Sequence, residues 1–306
     1  MKRRHFLQRS SAGALMVLSG KSDQAWFDSH ELVNLTILHT NDMHSRIEPF
    51  PMDGSRNEGL GGVAKRSSLI QRIRNQESNV LLFDAGDIFQ GTPYFNFFDG
   101  EVEIKAMTMM KYDAATIGNH DFDAGIDNLK SQMSNASFPM INCNYDFRNT
   151  PMHDQVLPYK VYQKNGIKIG VTGVGIELQS LVPSELTGDT QYLDPVANAV
   201  KTASLLKNEL NCDYVICLSH LGYKYREDKI DDVTFASQST NIDLIIGGHT
   251  HTFLREPEIV ANANQEAVLV NQVGWAGIML GRLDIEFERS RKNNCVSCKN
   301  LFIKNL

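Results

Sequence analysis

With 306 residues, the chain is long enough to bury a sizeable core, as one large domain or two small ones. Its composition, 42% hydrophobic and 22% charged with no low-complexity tract, is that of an ordinary globular protein. A formal net charge of −6 argues against nucleic acid or an anionic membrane as the main partner, because no basic excess is available to meet phosphates; a small phosphorylated substrate held through bound metal stays open.

The N-terminus reads as a targeting segment. Paired arginines, Arg3 and Arg4, precede Phe6-Leu7, and a weakly apolar stretch at 11–20 is too short to span a bilayer. This resembles a twin-arginine export signal and predicts a periplasmic or otherwise exported protein. No Ala-x-Ala cleavage site follows, and the mature start is expected between residues 19 and 32. Residues 1–32 are therefore set apart from a single domain over 33–290 and a polar tail over 291–306.

From residue 33 one pattern recurs: a short apolar run, a polar cluster, then often a helix. Residues 35–38 run into His39-Thr40-Asn41-Asp42-Met43-His44, and a helix is predicted over 63–76. Residues 80–83 lead into Asp84-Ala85-Gly86-Asp87, followed by a helix over 101–110. Residues 114–117 lead into Gly118-Asn119-His120-Asp121, followed by a helix over 124–135 and strands over 138–143 and 167–174. Asp194-Pro195 reads as an N-cap and first helical residue. Residues 214–218 lead into Ser219-His220, and 244–246 into Gly247-Gly248-His249-Thr250-His251. Two late runs, 267–270 and 278–287, have no helix between them and read as antiparallel strands finishing a sheet.

Strands alternating with helices imply an α/β fold with a largely parallel core, in which ligands bind at the carboxyl ends of the strands. The polar clusters fall at those ends. Five of them carry metal-ligand types: Asp42 and His44; Asp87; Asn119, with His120 and Asp121; His220; and His249 with His251. Each is a modest signal alone, and their concurrence predicts a two-metal site. Imidazole with carboxylate suits Zn, Mn, Fe, Co or Ni better than Ca or Mg. Two such ions need a bridging ligand, lower the pKa of water so that hydroxide forms at neutral pH, and neutralise charge on phosphoryl oxygens. His120 is the expected acid for the leaving oxygen, with Asp121 as its orienting partner.

These motifs resemble the calcineurin-like metallophosphoesterases, most closely the 5′-nucleotidase, UDP-sugar hydrolase and 2′,3′-cyclic phosphodiesterase group. The resemblance implies a four-layer αββα sandwich with two mixed sheets and a dinuclear metal site. Asp42, His44, Asp87 and His251 would hold one divalent ion. Asp87, Asn119, His220 and His249 would hold the other, with Asp87 as the bridge. Asp84 matches no ligand and reads as support for the site or a strand-end cap. The implied activity is hydrolysis of a nucleotide or related phosphoester. Alternatives are a thiosulfonate hydrolase of periplasmic sulfur oxidation and a subunit that needs a separate protein.

Secreted members of the group usually carry a second, C-terminal domain for the base, and none is expected here, so a separate C-terminal-domain protein is a candidate partner. No nucleic-acid polymer and no membrane span are expected. The aromatic-rich stretch Phe89, Tyr94, Phe95, Phe97 and Phe98 reads either as a small core beneath its loop or as a substrate-side wall. Of five cysteines, Cys143, Cys212 and Cys217 lie in or beside apolar runs and read as buried, while Cys295 and Cys298 suggest a disulfide or a tail without function.

Overall fold

The structure, a computed structural model, describes residues 32–288, 293–298 and 300–303. The expected export segment lies, up to residue 31, outside the described residues, as do the side chains of Cys295 and Cys298.

In chain order the first half comprises β1 (Leu32–Thr40), α1 (Val63–Gln76), β2 (Val80–Asp84), α2 (Pro93–Phe98), α3 (Glu101–Met109), β3 (Ala114–Ala115), a 3-10 turn at His120–Phe122, α4 (Ile126–Met133), β4 (Met140–Ile141), β5 (Tyr145–Asp146), β6 (Val156–Leu157) and β7 (Tyr159–Lys164). The second comprises β8 (Ile167–Gly175), α5 (Ser184–Thr187), β9 (Gln191–Tyr192), α6 (Pro195–Ser204), β10 (Tyr214–His220), α7 (Asp232–Gln238), β11 (Leu244–Gly247), β12 (Glu258–Ala261), β13 (Ala267–Asn271), β14 (Met279–Glu288), β15 (Asn293–Cys298) and β16 (Leu301–Phe302).

Two mixed sheets stack face to face. The first runs β15-β14-β1-β2-β3-β4-β6, with β16 also on β14; the second runs β12-β13-β11-β10-β8-β7. Side-chain alternation along each central strand separates the apolar layers. On β2, Val80 and Leu82 meet Ile70 and Ile73 of α1 and Ile104 and Met107 of α3, while Leu81 and Phe83 turn to the opposite sheet. On β10, Tyr214, Ile216 and Leu218 face the first sheet, while Val215 and Cys217 face Ala199 and Ala203 of α6 and Phe235 of α7. Three apolar layers thus separate four structural layers, αββα.

Register brings the polar clusters to a common edge. Thr40 pairs with Asp84 in parallel β1 and β2, and Asp84 with Ala115 of β3. In the second sheet Ser219 pairs with Gly247. The loops after β1, β2, β3, β10 and β11 therefore leave the sheets side by side.

Several expectations change. The two late runs do not share a sheet: β13 lies in the second, parallel to β11, while β14 pairs antiparallel with β1 in the first. The segment read as a polar tail supplies β15 and β16, both on β14. The helix expected over 124–135 begins at Ile126, after the 3-10 turn and Gly125 at φ 86°. Strands β7 and β12 had no clear sequence signal. Asp194 caps α6 as read, accepting the Ala197 amide at 2.8 Å. The aromatic stretch divides: Phe89 and Phe95 stack within the core, while Phe97 and Phe98 of α2 are exposed.

Candidate metal centre

All seven expected ligands converge at the common edge. Donor atoms of Asp42, His44 and His251 lie within 4.8 Å of one another, and so do those of Asp87, His220 and His249. Asp87 reaches both groups: its Oδ2 is 3.0 Å from His220 Nε2 and 3.8 Å from His44 Nε2. Asn119 joins the second group, with Oδ1 2.9 Å from His249 Nδ1. The His249 amide donates to both oxygens of Asp42, at 2.9 and 3.0 Å, and ties the groups together.

The backbone at the ligands is unusual. Asp42, His44, Asp87, His249 and His251 all have left-handed φ, between 47° and 71°. Such non-glycine conformations persist only where surroundings impose them. Here the first two ligand loops are laced together: Asp42 N donates to Gly86 O, His44 N to Asp87 O and Ser45 N to Ile88 O, at 2.9–3.0 Å. Asn41 fixes Asp42 from the side, donating from Nδ2 to Asp42 Oδ2 and to Gly274 O, both at 2.6 Å. Gly118 is required because a Cβ there would run into the Asp87 carboxylate.

The donor set fits two divalent cations. Asp42 and Asp87 are carboxylates with at most 1% of their surface exposed, and buried negative charge calls for a cation. His44 donates Nδ1–H to Phe89 O (3.3 Å) and His220 donates Nδ1–H to Ala85 O (2.6 Å). Each Nε2 is thereby left to present a lone pair to the centre, as outer partners of ligating histidines do. His220 Nε2 is buried, and Asp87 Oδ2 faces it at 3.0 Å. His44 Nε2 and His251 Nε2 point at each other across 2.9 Å.

Electrostatics agree with that reading. Burial pulls His44 below its ordinary value and His249 down to about 3, so both are neutral and able to ligate. Burial also works downward at His220, but the Asp87 carboxylate outweighs it and raises the pKa to about 10. A cation entering between Asp87 and His220 would displace that proton.

His120 and Asp121 separate. The His120 ring stands edge-on to His44, with centroids 5.3 Å apart, and is partly open to solvent. It donates Nδ1–H to Asp123 Oδ2 at 2.8 Å, not to Asp121. The cause is the 3-10 turn, in which residues three apart eclipse. That hydrogen bond is the chief reason the His120 pKa is raised. Asp121 instead points inward and accepts the amides of Gly118 (2.8 Å), Asp87 (3.1 Å), Ile88 (2.8 Å) and Phe89 (3.2 Å). It holds the loop that carries Asp87, and the expectation that it orients His120 is corrected. Asp84 caps its strand end, accepting the Gly86 amide at 2.9 Å and the Thr40 hydroxyl at 2.5 Å. Sequence reasoning missed Asn41, which a polar residue beside a ligand could have flagged, and Asp123, whose i+3 spacing was readable only once the turn was known.

Fold and paired ligand groups are those of a metal-dependent phosphoesterase. Residues 35–253 match the calcineurin-like phosphoesterase family, and the chain belongs to it. Among curated relatives, the chain is 34% identical to a 5′-nucleotidase of Rattus norvegicus over 281 residues, covering 83% of this chain and 46% of that protein. It is 35% identical to a snake venom 5′-nucleotidase of Naja atra over 227 residues, 72% and 41% of the two chains. Among solved structures, a 5′-nucleotidase precursor of Thermus thermophilus superposes with a TM-score of 0.80 at 30% identity, covering 88% of this chain and 54% of that one. The sulfate thiohydrolase SoxB of the same organism, with a TM-score of 0.72 at 15% identity over 88% of this chain and 56% of its own, shares the fold alone. The chain spans about half the length of the curated relatives it matches.

Proposed function

We propose that this chain is a dinuclear-metal phosphoester hydrolase of 5′-nucleotidase type, releasing phosphate from nucleotides or closely related esters. The observation that carries the reading is the position of Asp87, within 4 Å of imidazoles from both ligand groups, with His120 beside His44. The names of the relatives support the substrate class.

One ion would be held by Asp42, His44, Asp87 and His251, the other by Asp87, Asn119, His220 and His249. When bound, such ions polarise phosphoryl oxygens and lower the pKa of water. The protein's own contribution is position and protons. His120, held through Nδ1–H by Asp123, presents Nε2–H to the leaving oxygen of the ester. Asn41 and Asp121 keep the loops carrying Asp42 and Asp87 from relaxing. The reading includes export through the twin-arginine-like N-terminus. A separate protein contributing contacts to the nucleoside is a candidate partner in this reading.

The test is a phosphatase screen of the purified chain over nucleotides, sugar nucleotides and a small aryl phosphate, with metal analysis on the same preparation. Hydrolysis with two bound divalent ions is expected. A preparation that holds both ions and cleaves none of these esters would remove the proposal. Cleavage of the aryl phosphate but no nucleotide would assign nucleotide recognition to the partner.

A further inference from the structure

The ligand histidines are not held alike. His44 and His220 are buried, and each has its second ring nitrogen bonded to a backbone carbonyl. The side chain of His251 is 39% exposed, and its Nδ1 makes no hydrogen bond among the described residues. The ring of His251 stacks on Trp275. The indole lies parallel to the imidazole, with centroids 5.6 Å apart and an interplanar angle of 9°. That is an offset stack, the favourable geometry for two flat π-systems.

Trp275 is itself braced. Its edge meets Phe50, with centroids 5.7 Å apart at 77°, and the Arg46 guanidinium covers the Phe50 ring at 4.3 Å. The loop carrying it is bonded to the segment carrying Asp42. Val273 N donates to Asn41 Oδ1 (3.0 Å), Asn41 Nδ2 to Gly274 O (2.6 Å) and Ala276 N to Asp42 O (2.7 Å). Gly274 N donates to Thr252 O (2.9 Å), next to His251. One loop therefore sets both the backbone of Asp42 and the ring of His251, two members of the same ligand group. The group formed by Asp87, His220 and His249 has no contact of this kind with Trp275 among the described residues.

We infer that Trp275 is a positioning residue for the metal site formed by Asp42, His44 and His251: its indole face takes the place of the missing anchor on His251 Nδ1 and holds Nε2 toward the ion. The inference rests on the proposal that the two groups bind divalent metal. It makes the affinities of the two sites separable, and it makes Trp275 a reporter of one of them.

The test uses the full chain freed of metal and titrated with cobalt(II), followed by visible absorption and by tryptophan emission. In the wild-type chain two equivalents bind, and emission falls as the Asp42 site fills. Trp275→Ala should bind one equivalent normally and the other about tenfold or more weaker, the usual consequence of losing an outer partner of a ligand. Trp275→Phe keeps a flat face and should restore the affinity, while the part of the emission change that Trp275 supplies disappears. The inference fails if Trp275→Ala binds both equivalents as tightly as wild type, or if Trp275→Phe binds as weakly as Trp275→Ala. Should Trp275→Ala not fold, the emission arm decides: filling both sites with no change in wild-type emission overturns the inference. A wild-type chain that takes up no cobalt would instead sink the metal-centre reading itself.

Discussion

Two neighbouring carboxylates, Asp121 and Asp123, should fail in opposite ways. Asp121 is 1% exposed and accepts four backbone amides from the loops around Asp87. In Asp121→Asn one oxygen becomes an amide nitrogen facing N–H donors. If the remaining oxygen keeps Ile88 and Phe89, the amides of Gly118 and Asp87 lose their acceptor. Each buried orphaned donor costs about 1–3 kcal/mol, so a loss of roughly 2–6 kcal/mol is expected, against a typical total of about 5–15 kcal/mol. Asp123 makes one side-chain bond, to His120, and is 26% exposed. Asp123→Asn should leave stability within about 1 kcal/mol, since surface substitutions rarely exceed that. Its effect falls on proton delivery. General acids contribute about 10²–10⁴-fold, and losing the orientation of one should cost about 10²-fold in turnover, or about 2.7 kcal/mol. The assay pairs urea denaturation with hydrolysis of two esters: a nucleoside monophosphate, whose alkoxide needs a proton, and a nitrophenyl phosphate, whose phenolate leaves unaided. Asp123→Asn should slow the first far more than the second, with two metal ions retained. Equal slowing of both esters, or wild-type turnover of the nucleotide, would refute the assignment of His120 as leaving-group acid. An Asp121→Asn protein as stable as wild type would refute the amide-nest argument.

Other consequences are simpler to check. Chelation should lower the melting temperature, because each ion present at a hundred times its dissociation constant adds about 2.7 kcal/mol; identical melts with and without chelator would count against ion binding at the buried carboxylates. Gly118→Ala should cost about 1–3 kcal/mol by overpacking and should weaken both metal sites together, because a Cβ there meets the Asp87 carboxylate; calorimetric titration of metal into the variant measures this. His39 is fully buried, accepts from Asn271 Nδ2 at 2.8 Å, and is held by burial at about 3. Its folded pKa lies below the unfolded value, so it supports the fold fully above pH 6.5 and loses that support as pH falls from 6.5 toward 3. At pH 5 the loss is about 2 kcal/mol, and in metal-free protein His39→Asn should flatten the acid limb of stability between pH 7 and 5 by that amount; an unchanged slope would contradict it.

What the sequence revealed follows the range of the interactions involved. Strand ends were legible because an apolar run that stops at a cluster of Asp, His and Asn is a local signal, and the five clusters that carry the site stand where the runs predicted. Sheet membership was not. Strands β13 and β14 are consecutive, apolar and free of an intervening helix, yet they belong to opposite sheets, because pairing with β11 and with β1 is decided by residues far away in sequence. The β15 segment is polar enough to read as a tail and β16 is only two residues long, and both become strands because β14 offers them a free edge.

The same reasoning explains why ligand types were readable and ligand geometry was not. Five of the seven expected ligands sit at left-handed φ, a conformation that Asp, Asn and His tolerate better than most residues. Composition thus permits the site without specifying it. The specification comes from neighbours that are themselves ordinary: glycines at 86 and 118 that let loops close to contact, Asn41 bridging two segments, and Asp121 gathering four amides. Strained positions of this kind cost about 1–3 kcal/mol each. Holding five of them in one small volume takes the lacing of the surrounding loops, and that lacing, rather than the ligand types themselves, fixes where the donor atoms stand.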